Sequence, residues 1–428
     1  MKKLFILSLA LFLALAGMAQ DARKEIAANP FLSASNYLAY PGPAQQRLTP
    51  APKGYTPFYI SHYGRHGSRY HIGTSVYNNP YNVLMKADSL GKLTALGRET
   101  LKKVAMLRAE AYHRDGELTP LGALQHKDIA RRMYERFPDV FSGEACIDAK
   151  STVVIRCILS MENELQQLLL LNPRLQISHD ASYHEMFYMN YDDPVLNKEK
   201  YSGEGWKAYE AFRKRHINHD RLMASLFNDT AYWHHEVDKD RLGGHLFSLA
   251  SNVQSSELGK TLSLYDLFTA DELYALWRCD NAGWYISFGP SPLTGGRQPY
   301  TQANLLRNII HQADSCLRLP HPGATLRFGH EVCVLPLACL LELDNCGQSI
   351  NDLEQLDREG WVNYRIFPMG SNIQLIFYRS ATDPSDILVK VLLNENEATL
   401  PLPYDRKPYY RWSDFRAYFT QKLDAFKH

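Results

Sequence analysis

The sequence has no excess of either charge: 47 Lys and Arg face 46 Asp and Glu over 428 residues. That balance argues against a generic nucleic-acid binder, which carries a basic excess or patch. An acidic small molecule stays open as a substrate, because a pocket needs only a few well-placed cations. Beyond residue 16 no uninterrupted apolar run is long enough to span a bilayer, so no membrane span is expected in the mature chain. Cysteines are few and odd in number: Cys146, Cys157, Cys279, Cys316, Cys333, Cys339 and Cys346. They form no CxxC pair and no Cys/His cluster of zinc spacing, which argues against a structural zinc site. Cys333 and Cys339 lie inside the apolar run 332–343 and read as buried thiols, so no disulfide framework is expected. The chain also lacks internal repeats and low-complexity segments.

What is there reads as a globular protein with room for more than one structural unit: 45% apolar and 22% charged residues. Met1-Lys2-Lys3, the apolar run Leu4–Ala16 and the small residues Gly17-Met18-Ala19 have the layout of a secretory signal, cleaved before Gln20. Removal of residues 1–19 leaves 45 basic against 46 acidic residues. The mature protein is expected to be exported, either periplasmic or secreted.

Residues 20–54, rich in Pro, Ala and Gln, suggest an extended lead-in. A buried strand follows at Phe58–Tyr63 and runs straight into Gly64-Arg65-His66-Gly67-Ser68-Arg69. Helical periodicity covers 93–112 and then 120–136, where Thr119 can cap and Pro120 suits a first turn. The β-branched run Ser151–Arg156 predicts a second strand, with a helix over 160–171. From 172 to 320 these runs disappear and the pattern is helical, which suggests an inserted α-helical cap. Strands return at 324–329, 373–378 and 387–393, with helices over 334–343 and 414–426. The expected fold class is α/β: a mostly parallel sheet flanked by helices, formed by 55–171 and 321–428 and interrupted by the cap.

Ligands of open α/β sheets bind outside the carboxyl ends of the strands. Three predicted strands end on residues suited to a phosphate: Arg65-His66-Gly67-Ser68-Arg69, Arg156, and His330-Glu331. Guanidinium forks bond phosphate oxygens bidentately and stay charged at any working pH. His66, between two arginines, can attack phosphorus through an imidazole nitrogen. Glu331 can protonate a leaving alkoxide and then activate water. Each residue alone has a bland explanation as a surface charge, a salt-bridge partner or a structural histidine. Their occurrence together, each closing a strand of one sheet, favours phosphoryl chemistry.

These residues resemble the histidine acid phosphatases. Arg65-His66-Gly67-Ser68-Arg69 matches that family's Arg-His-Gly-x-Arg motif. The resemblance continues at Leu118–Gly122, at Ser151-Thr152 with Arg156 and Ser160, and at Gly329-His330-Glu331. Asn394-Glu395 followed by Leu400-Pro401 is similar to the end of the multiple inositol polyphosphate phosphatases, the phytase-like branch. The resemblance implies phosphomonoester hydrolysis through a phosphohistidine intermediate, without metal or cofactor, on an anionic small-molecule substrate. It implies His66 as nucleophile, Arg65, Arg69, Arg156 and His330 as phosphate ligands, and a neighbouring carboxylate as proton donor. Inositol hexakisphosphate and its lower phosphates are the implied substrates.

Two departures stand out. His71 occupies the position of a usual proline, which suggests a less rigid loop. The inositol polyphosphate branch has His-Ala-Glu, where this chain has His330-Glu331-Val332. Glu331 takes the position of the acid in the His-Asp of other acid phosphatases, and is the expected donor. A highly phosphorylated substrate needs further cations, for which Lys198, Lys200, Lys207, Arg213, Lys214 and Arg215 are candidates. The alternatives are a broad-specificity or sugar-phosphate acid phosphatase, a phosphomutase on the same scaffold, or a non-catalytic polyanion binder. Export disfavours the mutase, and retention of His66 and Glu331 disfavours the binder.

Overall fold

The computed structural model describes residues 21–427, so the leader expected at 1–19 lies outside the described residues. Its strands are β1 Tyr55–Arg65, β2 Cys146–Ser151, β3 Gln176–Asp180, β4 Gly323–Gly329, β5 Asn372–Ser380, β6 Ile387–Leu393, β7 Asn396–Ala398 and β8 Tyr410–Arg411. They form one sheet in the order β3-β2-β4-β1-β5-β6-β7, with β8 also paired to β6. β3, β2, β4 and β1 run parallel, whereas β5 and the strands beyond it pair antiparallel. The fold is thus the expected α/β class, with a mixed sheet that is parallel in one half and antiparallel in the other.

The two-residue period of a strand sorts its side chains between two cores. Tyr59, Tyr63, Leu375 and Val391 face helices Ala303–Cys316, Glu331–Leu340 and Trp412–Ala425. Ile60, Ile376, Leu388 and Leu392 face helices Pro120–Arg136 and Ile155–Leu171. A third core joins the N-terminal helix Ala22–Ala28, helices Ser75–Ser89 and Ala95–Glu110, and helices between 220 and 277. The helical layer therefore recruits residues from before the first strand and from 75–111, as well as from the 172–320 segment.

Three element readings are corrected. The lead-in 20–54 is not extended at its start. Asp21 caps helix Ala22–Ala28 by accepting from Arg23 N, and Asn29 caps a 3-10 segment, Pro30–Tyr37, by accepting from Phe31 N. The strand read at 151–156 lies earlier, as β2. The ladder ends where Thr152 N bonds Phe328 O, and Ile155 already begins a helix, so Arg156 sits in a first helical turn rather than at a strand end. Finally, the 172–320 segment contains β3, a short, largely exposed edge strand whose polar sequence gave no signal.

Helix Pro120–Arg136 has the expected ends, with Thr119 Oγ1 accepting from Gly122 N at 3.3 Å. Asn394 and Glu395, singled out by sequence, close the β6–β7 hairpin with positive φ at both residues. Buried Glu395 takes a two-point ion pair from Arg132, at 2.8 and 2.7 Å, and a hydrogen bond from Tyr40. This motif is structural. Among the described residues no helix is long and apolar enough to cross a membrane.

Candidate active site

The carboxyl ends of β1 and β4 are adjacent, with Arg65 in register with Gly329, and β2 ends beside β4. The chain continuations of these strands therefore converge. His66 N donates to Gly329 O at 2.9 Å, Arg65 N to Ser371 O at 2.7 Å, and Gly370 N to His66 O at 2.9 Å. These bonds pin the loop backbone at the edge of the sheet. Gly67 N then donates to Ser160 Oγ at 3.1 Å, and Ser68 N to Gln125 Oε1 at 2.8 Å. Helices Pro120–Arg136 and Ile155–Leu171 thereby clamp the loop from one side.

Arg65, His66 and Arg69 are buried, His330 is nearly so, and Arg156 and Glu331 are partly exposed. Arg65 Nη1 donates to the carbonyls of Asn36 and Phe367, at 2.6 and 2.9 Å, while its Nε stands 3.1 Å from Glu331 Oε2. His66 Nδ1 lies 2.9 Å from Gly67 O. A carbonyl only accepts, so Nδ1 carries the proton and Nε2 keeps its lone pair. Glu331 Oε2 is 3.6 Å from Nε2, and the His330 ring centre is 5.7 Å from that of His66. Thr152 Oγ1 lies 3.1 Å from His330 Nε2, and the buried Cys157 thiol packs against the same ring. Five buried nitrogens, Arg65 Nε and Nη2, His66 Nε2, Arg69 Nε and Arg156 Nε, have no hydrogen-bond partner among the described residues, although Arg65 Nε and His66 Nε2 face Glu331. Gathered at one place, unpartnered buried groups of this kind suit a ligand.

The charges decide which ligand. Burial first, then Arg65 and Arg69, hold His66 well below its ordinary pKa, against the pull of Glu331. His330 is lowered to about 4, chiefly by burial, with the arginines adding to it. Burial would raise Glu331, but Arg65, His66 and Arg69 outweigh it and hold the carboxyl well below the usual range. Burial pulls Arg65 down to about 10, which still leaves it charged at neutral pH. Three guanidinium charges less one carboxylate leave +2, the match for a phosphomonoester dianion. Atoms of His66, His330 and Glu331 lie within 4.8 Å of one another, close enough to share a metal ion. The surrounding arginines make the site electrostatically better suited to an anion.

All six residues expected from sequence are brought together here. Four other contributors carried little or no signal: the carbonyls of Asn36 and Phe367, Gln125, and Tyr37, whose ring lies 5.2 Å from the Arg69 guanidinium carbon. His71, expected to loosen the loop, is instead buried, with Nε2 3.0 Å from Ser248 O and its ring against Tyr37 and Tyr77. Of the six further cations, Lys207 pairs with Glu204, Arg215 with Glu354, and Lys200 packs over Phe288. Arg213, Lys214 and Arg215 line a separate cavity of about 570 Å³ with Trp206 and Tyr209. None of the six makes an ion pair or hydrogen bond with the arginine cluster among the described residues.

A histidine with a free lone pair among arginines, at the carboxyl edge of an α/β sheet, is an arrangement suited to holding an anionic ligand. The chain belongs to the histidine phosphatase superfamily (branch 2), whose family model matches residues 65–394. Fold and family together make it a phosphatase acting on phosphomonoesters. Similar solved structures include the multiple inositol polyphosphate phosphatase of Bifidobacterium longum in complex with inositol hexasulfate, at 18% identity and TM-score 0.75, covering 90% of this chain and 97% of that one. The phytase of D. castellii is similar at 15% identity and TM-score 0.68, with 92% and 85% covered. A Hafnia alvei phytase in complex with tartrate follows at 14% identity and TM-score 0.52, with 87% and 98% covered. At these identities the likeness is one of fold. No curated protein sequence matches the chain.

Proposed function

We propose that the protein removes phosphate stepwise from inositol hexakisphosphate and its lower phosphates, through a phosphohistidine on His66. The observation that carries this reading is the tautomer of His66: Nδ1 is committed to Gly67 O, and Nε2 presents its lone pair among Arg65, Arg69 and Arg156. Nε2 attacks phosphorus and the ester P–O bond breaks, while the arginines and His330 hold the nonbridging oxygens. Glu331 gives its proton to the departing alkoxide. It then takes one from water, whose oxygen attacks phosphorus and breaks the P–N bond, releasing inorganic phosphate. The carboxyl is ionised at rest, so it takes up this proton as phosphate binds. The incoming anion engages Arg65 and adds its own negative charge, and both effects raise the carboxyl's pKa. The inositol substrate is supported by the similar inositol polyphosphate phosphatase and phytases, the first in complex with inositol hexasulfate. The helical segment 172–320 acts as the cap that selects the substrate.

A second reading, hydrolysis of simpler phosphomonoesters, is favoured by the pairing of Lys207 and Arg215 with acidic neighbours. Time-resolved phosphate release separates the two. Wild type with chelator present is expected to release phosphate from inositol hexakisphosphate in steps, and His66→Ala to lose about 10⁴-fold or more. Turnover confined to sugar or glycerol phosphates would select the second reading. No release from any phosphomonoester would sink both, and loss of activity on chelation would sink the metal-free mechanism.

A further inference from the structure

Ser35 has φ 55° and ψ −121°, a backbone conformation that L residues rarely adopt. It is held there by a buried network. Asn363 Nδ2 donates to Ser35 Oγ at 2.7 Å, Trp277 Nε1 donates to Asn363 Oδ1 at 2.9 Å, and Asn363 N donates to Asn281 Oδ1 at 2.9 Å. Strain kept in place by a packed surrounding is a pointer to function. The next two residues show where it points. Asn36 O accepts from Arg65 Nη1 at 2.6 Å, and the Tyr37 ring centre lies 5.2 Å from the Arg69 guanidinium carbon. Tyr37 is itself braced by the buried His71, with ring centres 4.8 Å apart. The segment before the first strand thus reaches two of the three arginines.

We propose that Tyr37 is a positioning residue for phosphate binding: its aromatic face fixes the Arg69 guanidinium in the orientation that receives the phosphate oxygens. Arg69 needs such a device. Its Nη1 is anchored only to the neighbouring carbonyl of Tyr70, at 3.0 Å, and its Nε has no partner among the described residues, whereas Arg65 is tied to two carbonyls and Glu331. A ring face holds a guanidinium without consuming any of its N–H donors, and so leaves them for the anion. The bent backbone at Ser35 is what delivers the ring, and the buried helix Ala270–Phe288 supports the bend through Trp277 and Asn281. The inference rests on the reading of the arginine cluster as the phosphate site.

The test is a graded series at position 37: Tyr37→Phe, then mono-, di- and trifluorophenylalanine, which keep the ring's shape while draining its negative face. For the best phosphomonoester substrate, Tyr37→Phe is expected to stay within about twofold of wild type. kcat/KM is then expected to fall stepwise to a total loss of about 3- to 30-fold, and inhibition by inorganic phosphate to weaken in parallel. In the Arg69→Gln background the same series is expected to be flat, because the cation that the ring face holds is gone. A flat series in wild type, or equal slopes in both backgrounds, would overturn the proposal. A large loss in Tyr37→Phe alone would place the hydroxyl on the substrate and overturn it too. Wild type without turnover would instead defeat the functional reading, and the series is then read by calorimetric titration with inorganic phosphate.

Discussion

Glu331 has two partners that want opposite things from it. Its carboxylate lies 3.1 Å from Arg65 Nε and so competes with phosphate for that charge, yet the proposed chemistry needs it to hold a proton. Glu331→Gln separates these roles. Inorganic phosphate is expected to inhibit the variant more tightly, because Arg65 loses its internal counter-charge. Hydrolysis of inositol or alkyl phosphates is expected to slow by about 10²- to 10³-fold, and that of p-nitrophenyl phosphate far less, since its leaving group needs no proton. Equal losses on both substrates would leave Glu331 a structural part of the site. His66 gives a second expectation at this scale. Burial, Arg65 and Arg69 hold it well below its ordinary pKa, so the acid limb of kcat/KM should lie well below pH 6.5. Because Glu331 favours the imidazolium, Glu331→Gln should move that limb lower still. An acid limb near 6.5 would mean that the nucleophile is not the buried imidazole described.

At the scale of elements, the loop after β1 works because two glycines cross. A Cβ on Gly67 would stand 2.4 Å from Gly122 O, and one on Gly122 would stand 2.2 Å from Ser68 O. The loop therefore lies directly on the first turn of helix Pro120–Arg136, whose Gln125 also bonds Ser68. Gly122→Ala, at a residue that is itself no proposed phosphate ligand, is expected to lower kcat/KM by about 10²-fold through displacement of His66 and Arg69. A variant with wild-type kinetics would show the crossing to be slack. This architecture also explains what could be read from the sequence. Arg65, His66 and Arg69 lie within five consecutive residues at the end of a strongly patterned strand, and Thr119-Pro120 announces a helix by its capping chemistry, so both were legible. Val153-Val154-Ile155 reads as a strand because β-branched residues favour one. Here the tertiary pairing of Thr152 N with Phe328 O ends the ladder first, and the helix takes over. Arg156 stands near Arg65 and Arg69 although it lies in a first helical turn rather than at a strand end, because both positions aim at the same edge of the sheet. The roles of Asn36 and Phe367 were invisible in principle, since a backbone carbonyl leaves no mark in residue type. Tyr37 was hidden because only the bend at Ser35 brings it to Arg69.

For the whole molecule, the near-zero net charge conceals a steep internal arrangement: cations gathered at the site, and neutral histidines sealed around and behind it. Burial first lowers His62 to about 3, with His126 and Arg327 adding to it. It lowers His71 to about 3, with Arg69 adding, and His330 to about 4. His66 is shifted in the same direction. Unfolded, each of these returns to about 6.5. Between pH 6.5 and about 4 the unfolded chain therefore binds protons that the folded chain refuses, and stability must fall as the solution is acidified through that window. Asp280 opposes this in part, since burial pushes it up to about 6, so that it releases a proton on unfolding when the pH lies between its unfolded and folded values. At pH 5.5 the four histidines, joined by His219 and His245, which burial also lowers, outnumber Asp280 and the buried Glu164, which burial raises, so unfolding takes up protons. Calorimetric unfolding in buffers of different ionisation enthalpy reads that uptake directly. A net uptake, with the melting temperature falling steadily from pH 7 to 5, is the expected result. An uptake near zero would mean that the histidines around the phosphate site are solvated and charged, and the resting site would then carry far more than the +2 that suits a phosphate dianion.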